Sequence, residues 1–292
     1  MKNFITFNTF VIVSFFVSIF PRKVALFLGR SAGSLLYIFL PIRKKVVKKN
    51  LQIAFPNLNN QEYNKISHGV YRHYGLLIVE FLRQKAFKID EKIYYIDDKT
   101  RKFLQDKQNY IILTAHIGNW EMFIPIISKY KKMIAVVRVQ ANEGGDKFVR
   151  YLRSFQNITL ISNKGSKRKM LRGLSEGESL LLASDQNAKS AGTYVDFFGK
   201  PASIPKGAAH FHLKTNKKIL IGFCILNEKN IYEFKLRELN YKKTSEQKEQ
   251  LIIQINTEYS KILEEEIKKN PSQYFWFHKK WDKYIYKNER YI

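Results

Sequence analysis

His116 and Glu121 stand five residues apart in Ala115-His116-Ile117-Gly118-Asn119-Trp120-Glu121. A carboxylate that takes the proton of one imidazole nitrogen fixes the tautomer and leaves the other nitrogen free as a base. Such a base can remove the proton of a hydroxyl as its oxygen attacks an acyl carbonyl. On one continuous helix five steps rotate by about 140°, so the two side chains would diverge. Across a turn they can meet, and the flanking residues predict a turn. The run Ile111-Ile112-Leu113-Thr114 reads as a fully buried strand. Pro125 fits only the first turn of the helix that follows, which therefore starts near Glu121. His116 and Glu121 thus flank a strand-to-helix turn at the carboxyl end of a strand, where open α/β sheets place their ligands. The spacing alone is equally that of a helix-capping carboxylate near an ordinary histidine.

The elements around this turn follow from periodicity. Residues 133–139 read as a second buried strand that delivers Arg138 to its end. Residues 145–155 predict a helix with Phe148, Tyr151, Leu152 and Phe155 on its apolar side and Arg150 and Arg153 near the mouth of the crevice. A short strand (158–161), a helix (167–174) stopped near Gly177, and a third buried strand (179–184) ending at Asp185-Gln186 come next. Strands at 219–226 and 232–239 and a long helix over 246–269 complete the series. Strands alternating with helices predict an α/β fold, with a mostly parallel central sheet flanked by helices. In it His116, Arg138 and Asp185, all at carboxyl strand ends, converge on one crevice. Asp185 fits a helix N-cap or a turn equally well. Phe197-Phe198-Gly199 is a packed turn or, alternatively, the wall of an apolar groove for an acyl chain.

HIGNWE, residues 116–121, resembles the first motif of the lipid A late acyltransferases, the lauroyl- and myristoyl-transfer type within the lysophospholipid acyltransferase superfamily. The resemblance runs along nearly the whole chain. Asn50-Leu51 and Ala54-Phe55-Pro56 resemble the stretch after the membrane segment, and Glu80 sits where such proteins carry a glutamate. Arg138 and Asn142 match an arginine and an asparagine of the next block. Lys164-Gly165, Leu171 and Gly177 lead into Asp185-Gln186, followed by Phe197-Phe198-Gly199, Pro201-Ala202 and Gly207. Pro271, Gln273, Trp276, His278 and Trp281 resemble the closing signature. Departures are Val139 in place of a proline, Asn163 in place of a basic residue, and His210 and His212 where small or aliphatic residues are usual. They bear on the substrate rather than on the reaction.

The resemblance implies transfer of a fatty acyl chain from acyl carrier protein to the free hydroxyl of a 3-hydroxyacyl chain on a phosphorylated glucosamine disaccharide, the lipid A precursor. His116 would be the base, and Glu121 would hold the imidazole and stabilise its protonated form. Arg138, or a backbone N–H of the Gly118-Asn119 turn, would stabilise the oxyanion, with Asn119 bracing the turn. Asn142 and Asp185 are expected on the substrate side, and Arg150, Arg153 and Lys164 at the sugar phosphates. The same residues would serve a lysophospholipid or a mannosylated glycolipid acceptor. No cofactor is indicated: there is no CxxC, no HExxH and no glycine-rich nucleotide loop, and His210 and His212, on one face if extended, have no third metal ligand.

Residues 4–20 form a 17-residue stretch without a charge, closed by Pro21-Arg22-Lys23. No small-residue cleavage pattern precedes Pro21, so the stretch reads as an uncleaved anchor rather than a signal peptide. The apolar segment 24–42, which carries Arg30, Gly29 and Gly33, suits an interfacial or core helix. Residues 43–49 hold five basic residues in seven and favour the cytoplasmic side for the chain beyond them. The expected organisation is a membrane-anchoring helical segment (1–42) and a catalytic domain (43–292) on the cytoplasmic face of the inner membrane. A net charge of +26 over 292 residues fits three anionic targets: the bilayer, a phosphorylated glycolipid and an acidic carrier protein. Basic charge with 14% aromatics would also suit nucleic acid. No nucleic-acid motif is present, however, and the apolar N-terminus would be unexplained. The single cysteine, Cys224, reads as a small buried hydrophobe in a strand.

Overall fold

The computed structural model describes residues 2–85, 91–162 and 165–286. Four helices come first: α1 (Lys2–Ile19), α2 (Arg22–Phe39), α3 (Lys44–Ala54) and α4 (Asn60–Leu82). Pro56 follows the end of α3, and α4 opens on a capping box in which Asn59 and Glu62 satisfy each other's backbone N–H groups. The sheet elements then alternate with helices: β1 (Tyr94–Ile96), α5 (Asp98–Gln105), β2 (Ile111–Thr114), α6 (Phe123–Ile127), β3 (Met133–Val137), α7 (Glu143–Arg153), β4 (Ile158–Ser162), α8 (Lys167–Ser175) and β5 (Ser179–Ala183). A hairpin, β6 (Gly192–Phe197) and β7 (Lys200–Pro205), precedes α9 (Gly207–Thr215), β8 (Ile219–Leu226), β9 (Tyr232–Glu238) and α10 (Lys248–Lys269).

Seven strands form one sheet in the order β1-β9-β8-β2-β5-β3-β4. The block from β8 to β4 is parallel, and β9, antiparallel to β8, carries β1 on its outer edge. Successive residues of the central strands enter opposite apolar layers. Ile111 and Leu113 join the layer that holds α3, α9 and α10, and Ile112 joins the layer with α5 and α6. Burial on both faces explains why these strands read as continuous apolar runs. Two sequence expectations change. His210 and His212 lie in α9 rather than on a strand, and His212 is fixed by the Lys217 carbonyl and the Tyr241 hydroxyl. Phe198-Gly199 is the left-handed turn of the β6–β7 hairpin, with Phe197 packed on Trp281, so it is a packed turn.

Residues 2–39 pack on the rest of the chain. Phe10 of α1 stacks on Phe148 of α7, and the Ser14 hydroxyl donates to the Leu82 carbonyl. The α2 helix crosses α4 backbone to backbone. A Cβ on Gly33 would lie 2.2 Å from the Tyr71 carbonyl oxygen, and one on Gly75 would lie 2.2 Å from that of Gly29. Arg22 pairs with buried Glu80 at 3.1 Å, which accounts for the glutamate noted in the sequence. The outward faces of α1 and α2 are apolar and exposed, including Phe4, Phe16, Phe27, Ile38 and Phe39. No single described helix is long and apolar enough to cross a membrane, and α2 and α3 meet at 99°.

Candidate active site

Strand register brings the first two site residues together. Thr114 of β2 pairs with Ala183 of β5. His116 and Asp185, each two residues further along, therefore face each other at the carboxyl edge. His116 Nδ1 lies 2.7 Å from Asp185 Oδ1. Asp185 is buried behind the ring, beside the buried Tyr274. Its surroundings oppose each other. Burial disfavours the carboxylate, but the neighbouring imidazole and the Lys280 ammonium outweigh that and hold its pKa below the usual range. For His116, burial disfavours the imidazolium, but the Asp185 charge and hydrogen bond, helped by Glu121 and opposed by Arg153, leave its pKa raised. With Nδ1 held, the ring is 23% exposed and Nε2 has no protein partner among the described residues.

Among the described residues Glu121 makes no hydrogen bond to the His116 ring. Its two oxygens accept from Arg153 (Nε to Oε2 2.8 Å, Nη2 to Oε1 2.6 Å), and Oε1 also accepts from Trp120 Nε1 at 3.0 Å. Glu121 sits in a 3₁₀ turn over Trp120–Met122 that runs directly into α6, which aims it at the last turn of α7 rather than at the ring. It reaches His116 through space only. Arg153 is thereby held by a carboxylate through Nε and Nη2.

The turn itself is fixed by its neighbours. Gly118 has φ +61°, and a Cβ there would lie 2.1 Å from the Cys224 carbonyl oxygen, so only glycine fits. Its N–H donates to the Gln273 carbonyl, and the Asn119 N–H donates to that of Cys224. The backbone donors expected for an oxyanion are therefore already used. The Asn119 side chain is buried. The closing signature forms the back wall of the turn. Gln273 brackets Leu226 N–H and C=O with its side chain, the Phe275 N–H donates to the His116 carbonyl, and the Asn50 amide donates to the Trp276 and His278 carbonyls.

In front of His116 lies a groove of about 410 Å³. Its floor is apolar, from Ile124, Ala135, Val137 and Leu181. Its rim is polar, with His116, Glu121, Arg138, Arg153 and Gln186. Arg138, exposed at the end of β3, has no ion pair among the described residues. Other expected ligands are placed elsewhere. Asp185 lies beneath His116 and does not line the groove. The Asn142 side-chain oxygen caps α7 through the Gly145 N–H at 2.8 Å, and Arg150 pairs with Asp146 at 2.6 Å one helical turn away. Lys164 lies outside the described residues. Among the described residues no cluster of three metal-ligating side chains occurs. Sequence reasoning missed Tyr274 and Lys280. Lys280 is buried, donates to the Asp185 carbonyl, and has a pKa pushed down to about 8 by burial against the pull of Asp185. Their proximity to Pro271 and Trp281 was the available signal.

A histidine paired with a buried carboxylate thus faces an apolar groove with a cationic rim, at the carboxyl edge of a mostly parallel sheet. A model of the family "Bacterial lipid A biosynthesis acyltransferase" matches residues 2–283, and the chain belongs to that family. It is an acyltransferase of lipid A biosynthesis. The chain is 21% identical over 269 residues to the lipid A biosynthesis palmitoleoyltransferase of Escherichia coli (strain K12), covering 89% of this chain and 85% of that one. It is 22% identical over 249 residues to a lipid A biosynthesis acyltransferase of Haemophilus influenzae, covering 82% and 77%. The 1-acyl-sn-glycerophosphate acyltransferase of Thermotoga maritima is a remote structural likeness: TM-score 0.38, 15% identity, 85% of this chain and 99% of that one.

Proposed function

We propose that the protein transfers a fatty acyl group from acyl carrier protein to the free hydroxyl of a 3-hydroxyacyl chain on the phosphorylated lipid A precursor. The observation that carries the proposal is the His116–Asp185 contact at 2.7 Å, which leaves Nε2 facing the groove. Nε2 takes the hydroxyl proton as the oxygen forms a bond to the thioester carbonyl carbon. Collapse of the adduct breaks the C–S bond, and the imidazolium returns its proton to the departing thiolate. Asp185 fixes the tautomer with Nδ1 protonated, and Glu121 stabilises the imidazolium through space. Arg138, a rim cation with no ion pair among the described residues, stabilises the oxyanion. The apolar floor of the groove takes the acyl chain.

The exposed apolar faces of α1 and α2, beside the basic residues 43–49, support docking on the cytoplasmic leaflet of the inner membrane. The test is mass spectrometry of lipid A from cells lacking the protein, paired with transfer of labelled acyl groups from acyl carrier protein by purified protein in detergent. Loss of one secondary acyl chain and transfer in excess chelator are expected. Unchanged lipid A with altered phospholipids would contradict the acceptor, and strict dependence on a divalent ion would contradict the chemistry.

A further inference from the structure

The α2–α4 crossing makes a second cavity, of about 250 Å³, on the far side of the catalytic turn. Because Gly29, Gly33 and Gly75 let the two backbones touch, the arginines beside them are forced onto one rim: Arg30 from α2 and Arg72 from α4. The two guanidinium groups are close enough to repel each other. Among the described residues neither has a carboxylate within ion-pair distance. Arg30 donates to the Asn230 side chain at 2.5 Å and Arg72 to the Ser34 hydroxyl at 3.2 Å, both neutral acceptors. The nearest buried acid, Glu80, is already bracketed by Arg22. Exposed Glu228 lines the rim without pairing to either arginine. Two like charges held together without a counterion point to an anion that arrives from outside.

The setting narrows the anion. Arg30 lies on α2 between the buried Gly29/Gly33 face and the exposed apolar face of Phe27 and Ile38, as the 100° step per residue requires. A phosphate held by Arg30 and Arg72 would leave attached hydrocarbon running over that apolar face. The cavity wall also contains His73, which burial keeps neutral with a pKa of about 4, and whose Nε2 donates to the Gly118 carbonyl at 3.1 Å. We infer that the α2–α4 cavity is a binding site for the phosphate of an anionic lipid, separate from the groove in front of His116.

The experiment measures binding of dihexanoyl phosphatidic acid, below its micelle concentration, to the full chain in neutral detergent. Inorganic phosphate and dihexanoyl phosphatidylcholine serve as comparison ligands. Wild-type protein should bind the phosphatidic acid more tightly than either comparison ligand, and His116→Ala, which leaves the cavity intact, should bind it equally well. Arg30→Gln with Arg72→Gln should weaken binding by at least about tenfold, as expected for lost charge-assisted contacts to phosphate. Arg72→Gln alone, at an exposed position, keeps the test valid if the double variant fails to fold, and Arg72→Lys should retain part of the affinity. Unchanged binding in Arg72→Gln would overturn the site. Inorganic phosphate as tight as the lipid would overturn the lipid assignment, and weakened binding in His116→Ala would place the ligand in the catalytic groove instead.

Discussion

The carboxyl edge of the sheet and the N-terminal helical layer treat polar groups in opposite ways. At the edge nearly every group is consumed by a neighbour. Asp185 is taken by His116, Glu121 by Arg153, and the Gly118 and Asn119 N–H groups by the carbonyls of Gln273 and Cys224. Facing the groove, His116 Nε2 and the Arg138 guanidinium have no such partner among the described residues. In the N-terminal layer apolar side chains face outward, and among the described residues Arg30 and Arg72 share a cavity in which no carboxylate pairs with either of them. The difference separates two tasks. A reaction centre needs one geometry and reaches it by internal pairing. The N-terminal layer, on the docking role proposed for it, would leave its bonding capacity for something outside the chain.

The largest effect should come from removing the base at the groove, His116, whose Nε2 has no partner among the described residues. His116→Ala should lower turnover by roughly 10²–10⁴-fold, the usual contribution of a general base. Retention of more than about a tenth of wild-type turnover with labelled acyl carrier protein would sink the assignment. Second in size is the internal ion pair. Glu121→Ala strands the half-buried Arg153 charge and should destabilise the fold by up to about 3–5 kcal/mol in chemical denaturation. Glu121→Ala combined with Arg153→Met should recover much of that loss. If the double variant is no more stable than Glu121→Ala, the pair is not the strut described.

The helical layer should respond differently. Gly33→Ala drives a methyl group into the Tyr71 carbonyl and should cost about 1–3 kcal/mol of overpacking strain, read as earlier proteolysis of α2. Turnover on a soluble, short-chain acceptor should change little; a collapse of turnover would mean that the layer shapes the reaction centre. Smallest in its chemical effect is neutralisation of Lys44, Lys45, Lys48 and Lys49. Partitioning to anionic vesicles should weaken in a salt-dependent way, because surface attraction is screened. Unchanged partitioning at low salt would assign the basic surface wrongly.

Much of this architecture is legible in the sequence because burial writes it there. The continuous apolar runs of β2, β5 and β8 have the boundaries or near-boundaries of the observed strands, since both faces of each are covered. The approach of His116, Arg138 and Asp185 follows from strand ends sharing an edge. Which carboxylate touches the histidine was not legible. Sequence spacing favours Glu121, whereas register, a property of paired strands, favours Asp185. Nor could spacing show that Arg153, 32 residues from Glu121, would take both of its oxygens. The cap formed by Asn142 and the contact of Asp185 with His116 are illegible for a related reason: a polar residue at a strand or helix end serves backbone and neighbours as readily as a ligand.

The geometry gives Asp185, rather than Glu121, the larger hold on the basicity of His116, and the pH dependence of kcat/KM decides between the two carboxylates. The imidazole acts only when unprotonated, so activity rises with pH through its raised pKa. Asp185→Asn removes the charge that does most to raise that pKa. The acid limb should therefore move to lower pH while the plateau falls. Glu121→Gln, which removes only a through-space influence, should move the limb less. A limb that stays in place in Asp185→Asn but shifts in Glu121→Gln would contradict the account and return the imidazole to Glu121.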